Sequence, residues 1–304
     1  MTGESLSAPR AEADRRTAAG AGYALAAFLL WGLNPIYFKA VASVPAHEVM
    51  AHRAVWSALF LAVLVSIGRQ WRAVGQALLS PRTLRALLLS TVLIGSNWFV
   101  YIWAVANARI VETSLGYFIN PLVNVLLGLV FLRERLNSRQ WVAVALAVAG
   151  VLNLTVRLGE LPWIALYLAV SFGIYGLVRK TAPVNALGGL FIETALMTPP
   201  ALAFIAWLAW TGAGALGTKG LGFDLLLAAS GVVTALPLLW FSAAARRLKL
   251  STLGFFQYLS PTTQFLLGVF VWGETFTSIH AVSFACIWIA LAIITVDALV
   301  RARR

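Results

Sequence analysis

Charged residues are scarce in this chain of 304 residues: they make up 11% of it, whereas soluble domains carry about 25%. Hydrophobic residues make up 61%, and the mean hydropathy is +0.85. The single cysteine, Cys286, excludes an intramolecular disulfide. The three histidines lack metal-ligand spacing, and there is no glycine-rich phosphate loop. We therefore expect no metal, no cofactor and no nucleotide-driven pump, and an integral membrane enzyme is disfavoured.

The apolar residues come in runs of about 20, the length that a helix needs to cross a ~30 Å hydrocarbon layer. The alternating polarity of a membrane β-barrel is absent. We predict an all-α polytopic membrane protein with ten transmembrane helices and short connections, preceded by a disordered tail at 1–19. The predicted spans are 20–41, 47–68, 84–105, 110–132, 138–157, 161–179, 185–210, 222–245, 250–272 and 277–300.

The basic residues predict how these spans are oriented. A net charge of +12 would suit a nucleic-acid partner, but most of the 23 Lys and Arg fall on segments that share one side with the N-terminus. The opposite side carries only Lys39, Arg109, Arg157 and Lys219, and Arg53 falls inside a span. This is a strong positive-inside bias. We expect both termini in the cytoplasm, contact with anionic lipid heads, and no nucleic-acid partner.

The chain repeats itself at about half its length. The pattern Pro-x6-Gly-x5-Glu begins at Pro121 and again at Pro261, whereas a stretch around Lys39 aligns with one around Lys180. Because the charge bias places Lys39 and Lys180 on opposite sides, the two copies are predicted to be inverted. We assign the repeats to 20–157 and 161–300, each with five helices. Carriers that work by alternating access are built in this way, although channels and some membrane enzymes also contain inverted repeats.

Four segments carry a family resemblance: LIGSNWFVYIWAV, SLGYFINPLVN, FGIYGLVRK and STLGFFQYLSP, which begin at residues 93, 114, 172 and 251. They resemble the RarD branch of the EamA-domain permeases, in the drug/metabolite transporter superfamily, and the resemblance runs from about residue 20 to 300. It implies ten helices in two halves and a path lined by the first, third and fourth helix of each half. It also implies a multi-pass permease of the bacterial inner membrane, linked by name to chloramphenicol sensitivity, and no particular substrate.

Polar and aromatic side chains inside the spans are the candidates for substrate contact, because such groups are costly in lipid and face a cavity or a partner helix. Tyr117, Asn120 and Asn124 form an i, i+3, i+7 stripe beside Pro121, where the helix is expected to loosen. For each residue the alternative role is hydrogen bonding between helices. The candidate substrate-binding residues are Asn34, Asn97, Trp98, Tyr101, Tyr117, Asn120, Asn124, Tyr175, Trp240, Gln257, Tyr258 and Gln264. Amides and aromatic rings without dense charge favour an amphipathic or aromatic solute.

Three ionisable residues fall inside spans: His52, Arg53 and Glu193. An isolated charge at mid-membrane costs about 2.5–3.5 kcal/mol, so each needs a partner or water. Span positions separate Arg53 from Glu193 by about 9 Å along the membrane normal, and we expect each to have its own partner. We interpret Arg53 as a structural charge. Glu193, and more weakly His52, are candidates to carry a coupling proton, with a packing role for the Glu193 carboxyl as the alternative.

The sequence thus predicts a secondary-active transporter that moves a small organic solute, metabolite or drug-like, across the inner membrane, with proton coupling as a hypothesis. A channel-type facilitator is the alternative, although it would favour a ring of like charges or a carbonyl-lined filter. The lipid bilayer and the solute are the expected partners. Substrate, direction and oligomeric state (monomer or homodimer) stay open.

Overall fold

The computed structural model describes residues 7–106, 110–158 and 163–271, together with isolated positions between 278 and 297. In these ranges the chain forms eleven α-helices and one π-helical segment, and no strand, which confirms the predicted all-α class for the part described. The helices are α1 Ser7–Ala40, α2 Ala46–Ile67, α3 Trp71–Leu79, α4 Pro81–Ala106, α5 Ile110–Leu132, α6 Ser138–Leu158, α7 Trp163–Thr181, α8 Ala186–Thr211, α9 Leu221–Ala245, α10 Leu250–Phe256 and α11 Leu259–Leu266, and the π-helical segment is Leu267–Val271.

Six helices of the described ranges are long and apolar enough to cross a membrane, namely α1, α2, α4, α7, α8 and α9. A shorter apolar stretch, Gly116–Leu132, belongs to α5. These helices, together with α6, agree with predicted spans to within a few residues, apart from the longer N-terminal part of α1. The tenth predicted span, 277–300, lies largely outside the described residues. The ten-helix count and the inverted repeat therefore stay predictions.

Two segments differ from expectation. Residues 7–19, predicted as a disordered tail, are helical and continuous with α1, because this Ala- and Arg-rich stretch consists largely of good helix formers. The predicted connection after the second span contains α3, whose Trp71 donates its indole N–H to Ser66 Oγ at 3.0 Å. Trp71 and Leu79 are exposed, so α3 presents apolar side chains outward at one end of the bundle.

The ninth predicted span is a broken helix rather than a continuous one. The break, at Gln257 and Tyr258, separates α10 from α11 and has a local cause in Pro261. Proline has no N–H to donate to the carbonyl four residues earlier, which here belongs to Gln257. The Ser260 N–H donates to that carbonyl instead, at 3.2 Å, in a tighter turn. Discontinuous helices of this kind surround the binding sites of many transporters.

Cross-chain contacts define two ends of the bundle. At one end Asn185 donates to Gln70 Oε1 at 3.0 Å and Arg246 donates to the Ala182 carbonyl at 3.0 Å. We call this end, which carries the ends of α2, α7 and α9, the basic face. At the other end, the far face, Lys219 donates to Ser43 Oγ at 2.8 Å. By the charge bias, the basic face is the predicted cytoplasmic side.

Several helices of one predicted half pack directly on helices of the other. α1 packs on α9 and α11, α5 packs on α7 and α10, and α2 packs on α8 and α9. Glycine makes two of these contacts close: a Cβ on Gly254 of α10 would lie 2.8 Å from the Pro121 carbonyl oxygen, and a Cβ on Gly231 of α9 would overlap the backbone of Trp56 in α2. Small residues permit such approach in membrane bundles. The interior between the halves is where a site is expected.

Candidate functional site

A cavity of about 120 Å³ lies inside the bundle, in the half nearer the far face. Its wall on α1 runs from Phe28 to Phe38, and α1 ends two residues later at Ala40. On α5 the wall includes Gly116 and Tyr117, within two turns of the start of that helix. Residues of α2, α4, α7, α9, α11 and the break between α10 and α11 complete the enclosure.

Eight of the twelve candidate residues line this cavity. They come from α1, α4, α5 and the α10–α11 region, four elements that are far apart in sequence. The eight are Asn34, Asn97, Trp98, Tyr101, Tyr117, Asn120, Gln257 and Gln264. Tyr101 and Tyr117 form one side of the wall as an edge-to-face pair with ring centroids 6.0 Å apart. The structure therefore brings most of the candidates to one place.

The other four candidates, Asn124, Tyr175, Trp240 and Tyr258, lie outside the lining. Asn124 is covered by Gln257, whose Oε1 accepts a hydrogen bond from Asn124 Nδ2 at 2.6 Å. The polar stripe on α5 therefore reaches the cavity only as far as Asn120. Tyr258 is fully buried and donates to the Phe118 carbonyl at 3.2 Å. Tyr175 and Trp240 lie in or against the hydrophobic core.

Two asparagines of the wall also join the halves. Asn97 of α4 donates through Nδ2 to the Leu168 carbonyl at 3.0 Å and to Ser171 Oγ at 2.9 Å, both on α7. Asn120 of α5 donates to the Ala169 carbonyl on the same helix at 2.8 Å. The side-chain N–H groups of both asparagines therefore do form the hydrogen bonds between helices that were the alternative to substrate contact. The Asn34 side-chain oxygen, also in the wall, is buried and has no hydrogen-bond partner among the described residues.

A proline also explains the bond made by Gln264. Pro35 leaves the carbonyl of Trp31 without the helical N–H four residues later. Gln264 Nε2 of α11 donates to that carbonyl at 3.2 Å. The carbonyl that Pro35 leaves free in α1 thus accepts a bond from the other predicted half at the cavity wall.

Arg53 of α2 lies in the cavity wall and is held without a carboxylate. Its Nε donates to Thr234 Oγ1 at 2.7 Å, and its guanidinium carbon lies 4.7 Å from the Trp98 ring centroid and 5.4 Å from that of Phe38. Among the described residues no Asp or Glu oxygen lies within 4.0 Å of it. Stacking on aromatic faces stabilises a desolvated guanidinium and fixes its plane. Arg53, interpreted from the sequence as a purely structural charge, is therefore a wall residue.

An aromatic cluster closes the cavity toward the basic face. Trp31 and Phe172 of the wall lie 5.7 Å apart between ring centroids, and Phe172 lies 5.1 Å from Phe241, which is fully buried. Phe241 stacks on Tyr175 with centroids 6.1 Å apart. These rings belong to α1, α7 and α9, so they join both predicted halves.

Beyond this cluster lies a buried ion pair. Arg179 Nη1 is 3.5 Å from Glu193 Oε1, and the two side chains are 1% and 0% exposed. Glu193 also accepts from Ser90 and, at 3.4 Å, from the Tyr175 hydroxyl. Arg179 in turn donates to Ser242 Oγ at 3.2 Å. Arg179, counted from the sequence among the surface charges that set orientation, is thus the partner of Glu193.

Comparison with known proteins identifies the family. The EamA-like transporter family matches residues 18–156. An uncharacterized transporter of Vibrio cholerae is 51% identical over 91% of both chains, and Protein RarD of Escherichia coli strain K12 is 49% identical over 95% of this chain and 98% of its own. Chloramphenicol-sensitive protein RarD of Pseudomonas aeruginosa is 32% identical over 88% of this chain and 90% of its own. The chain belongs to the RarD branch of the EamA-like transporter family.

A solved structure matches this RarD-like chain with a TM-score of 0.69, over 92% of this chain and 98% of that one, at 19% identity. At that identity the match concerns the fold alone. Family membership confirms the resemblance seen in the four sequence segments and places the chain among multi-pass membrane transporters.

The wall of the cavity in this RarD-like chain draws on helices from both predicted halves. Its residues come from α1, α4 and α5 in the first predicted half, and from α7, α9, α11 and the break before α11 in the second. Arg53, on the second span, is an addition to this set. Within the described residues no group of three or more His, Cys, Asp or Glu is arranged to hold a metal.

Two carboxylates outside the cavity hold loops of this RarD-like protein. Glu48, which the sequence reasoning missed, is buried and accepts from the Ala215 N–H at 2.6 Å, with His52 Nε2 3.8 Å away on the next helical turn. Its spacing of four from His52 was the available signal. His52 therefore lies beside the far-face loop rather than in the cavity wall. Glu134, which ends the first copy of the repeated Pro-x6-Gly-x5-Glu pattern, accepts from the N–H groups of Leu250 and Ser251 at the start of α10. Glu274, which ends the second copy, lies outside the described residues.

Proposed function

We propose that this protein is a secondary-active transporter that carries a small organic solute across the bacterial inner membrane by alternating access. The observation that carries the proposal is a cavity walled by both predicted halves, near the far face, with a packed aromatic cluster and a buried ion pair on its basic side. A site enclosed between two halves and closed on one side is the form that a carrier takes in one of its end states.

The pairing of helices supports inverted repeats. If α1 corresponds to α7 and α4 to α9, the contact of α1 with α9 has its counterpart in the contact of α7 with α4, and both are extensive. The contact of α5 with α7 likewise has a counterpart in that of α11 with α1. Reciprocal contacts of this kind are expected from a two-fold axis in the membrane plane. The positive-inside bias then puts both termini, and the basic face, in the cytoplasm.

The proposal includes proton coupling through Glu193, with His52 as the weaker candidate. Such coupling requires protons to reach a carboxylate that is buried in this state. Neither residue lines the cavity, and Glu193 is engaged by Arg179, Ser90 and Tyr175. Protonation of Glu193 would remove its attraction to Arg179, so coupling requires this network to open when the cavity opens to the basic side. Glu193→Gln should then abolish accumulation driven by a pH gradient in proteoliposomes while leaving exchange intact. Accumulation that persists in this variant would contradict proton coupling through Glu193.

Alternating access is testable before any substrate is known. In a Cys286→Ser background, Tyr117→Cys places a thiol in the cavity wall, and Ser242→Cys places one in the buried region beside Arg179. In right-side-out vesicles a membrane-impermeant maleimide is expected to label Tyr117→Cys from outside and to leave Ser242→Cys unlabelled. In inside-out vesicles Tyr117→Cys should become labelled only when the basic side opens. Equal and simultaneous labelling from both sides would indicate a channel.

The transported solute is to be found by thermal-shift screening of purified protein against metabolites and antibiotics, with chloramphenicol included because one relative is named for sensitivity to it. Each hit is then tested for counterflow in proteoliposomes. A carrier shows saturable flux that is accelerated by solute on the opposite side. Flux that rises linearly with concentration and shows no counterflow would favour the channel-type facilitator.

A further inference from the structure

We propose that Arg53 is the recognition site for a carboxylate, and that the solute is a small organic monoanion with an apolar or aromatic body. This deepens the proposed function and rests on it for the claim that the bound molecule is transported. The starting observation is a positive charge in the wall of a membrane cavity, with no acidic residue among the described residues that line it. A charge in that position is stable when water or an anion occupies the space before it.

The acidic side chains that the structure describes within the bundle and its loops have other partners. Glu193 pairs with Arg179, and Glu48 binds the Ala215 N–H. Glu134 caps α10, Asp224 accepts from the Gly217 N–H at 2.8 Å, and Asp297 accepts from Asn137 at 2.7 Å. Each of these contacts lies away from the cavity wall. The protein groups described around Arg53 thus hold its guanidinium without neutralising its charge.

The guanidinium is also oriented for a ligand. Of its five N–H donors, the one on Nε is used by Thr234, whereas the four on the two Nη atoms have no acceptor among the described residues. Trp98 and Phe38 lie against the guanidinium at 4.7 and 5.4 Å, which restricts its rotation. A planar fork fixed in this way matches the two oxygens of a carboxylate, in a bidentate pair that is shorter and stronger than a neutral hydrogen bond.

The rest of the wall indicates the charge and the polarity of a ligand that would fit the cavity. The lining that the structure describes holds no lysine and no second arginine, so it matches one negative charge and not a di- or triphosphate. Phe28, Trp31 and Phe172 provide an apolar surface at the closed end. The unpartnered Asn34 oxygen offers an acceptor for one N–H or O–H group on the ligand. Together these features select a carboxylate at one end of a compact apolar molecule.

The test uses full-length protein in nanodiscs and pairs of probes that share a body and differ in the head group, a charged carboxylate or its neutral amide: benzoate with benzamide, phenylacetate with phenylacetamide, and hexanoate with hexanamide. Binding is measured by calorimetry and by thermal shift. We expect at least one carboxylate to bind and its amide to bind about 10- to 100-fold more weakly. Arg53→Gln should remove that preference, and Arg53→Lys should keep part of it. Arg72→Gln, on exposed α3, is the matched control and should bind as the unaltered protein does.

The outcomes separate this inference from the proposed function. Binding of carboxylates that requires Arg53, in a protein that shows no counterflow of them, supports the recognition site and contradicts the transport proposal. Counterflow of a neutral solute with unchanged KM in Arg53→Gln supports a transporter and overturns the carboxylate site. Failure of every carboxylate to bind, or equal binding of acids and amides, also overturns it. If Arg53→Gln does not fold, the comparison is made between the unaltered protein and Arg53→Lys, whose acid-to-amide ratio must differ.

Discussion

The two arginines inside the bundle stand in opposite situations. Arg179, near the basic face, is 1% exposed and lies 3.5 Å from a buried carboxylate on Glu193. Arg53, nearer the far face, lies in a cavity wall between two aromatic rings and a threonine hydroxyl. Because Arg179 and Glu193 neutralise each other, helices can pack tightly around them. A buried charge that no carboxylate neutralises, by contrast, needs solvent or a ligand in the space next to it. We therefore assign Arg179, which pairs with a carboxylate, to the scaffold, and Arg53, which contacts aromatic rings and a hydroxyl, to the site.

The repeat sharpens this comparison. The alignment that sets Lys39 against Lys180 has an offset of 141 residues, and the same offset sets His52 against Glu193 and Phe38 against Arg179. The first half therefore carries a histidine and a phenylalanine where the second half carries the ion pair. In the structure Phe38 stacks on Arg53 instead. Under the predicted alignment, the corner of the second half that holds Arg179 and Glu193 is a neutralised pair, whereas the corresponding corner of the first half contacts the charged Arg53.

The largest predicted difference is in stability. Arg179→Gln leaves Glu193 buried without its counter-ion and is expected to reduce the free energy of unfolding by about 3–5 kcal/mol. Arg53→Gln loses one hydrogen bond and its ring contacts and should cost about 1–2 kcal/mol. Thermal unfolding of both variants in the same detergent measures the contrast. The double change Arg179→Met with Glu193→Leu should recover much of the loss, because it removes both charges. Equal destabilisation by the two single changes would contradict the assignment of scaffold and site.

The helical architecture was accessible from sequence because hydropathy records burial in lipid directly. Nine predicted spans coincide with helical segments, and eight of twelve candidate residues reach one cavity. The sequence reasoning did not predict which charged side chains pair with each other inside the bundle. The charge count treated Arg179 as a surface residue since it lies near a span end, but α7 continues to Thr181 and the side chain turns inward. The structure shows the fit directly, because a Cβ on Gly189 would overlap the Arg179 guanidinium.

Most of the cavity residues that sequence reasoning missed are apolar or small, and so give no polarity signal. Phe28, Trp31 and Phe172 look like any aromatic residues of a membrane helix, and Thr234 looks like a residue bonded to its own helix. Their role comes from the helix rotation that packing sets, which single-sequence periodicity does not specify. The same limit explains Asn124 and Tyr258, which face a neighbouring helix instead of the cavity.

A second, smaller effect is expected at the basic face. Glu134 accepts from two backbone N–H groups at the start of α10 and from Ser251 Oγ at 2.5 Å, so it fastens the first predicted half to the second. Glu134→Gln keeps an acceptor but loses the charge, and should cost about 1 kcal/mol. Arg135→Gln, at the exposed neighbouring position, is the control and should change stability little. If the closed basic side depends on this clamp, Glu134→Gln should also raise maleimide labelling of Ser242→Cys; unchanged labelling would limit Glu134 to capping the helix.

The smallest effect on stability should come from the asparagines of the cavity wall, and it is the most informative about ligand contact. Asn97→Ala and Asn120→Ala each remove bonds to α7, and hydrogen bonds between membrane helices contribute about 0.6 kcal/mol on average. Asn137→Ala, which loses a bond to Asp297 and the cap on the Gln140 N–H far from the cavity, is the control for ligand binding, not for stability. If the amides touch ligand, stabilisation by a bound solute disappears in the two wall variants and persists in the control. Ligand stabilisation that survives both wall changes would mean that the amides only join helices, and that recognition in this cavity belongs to Arg53 and the rings around it.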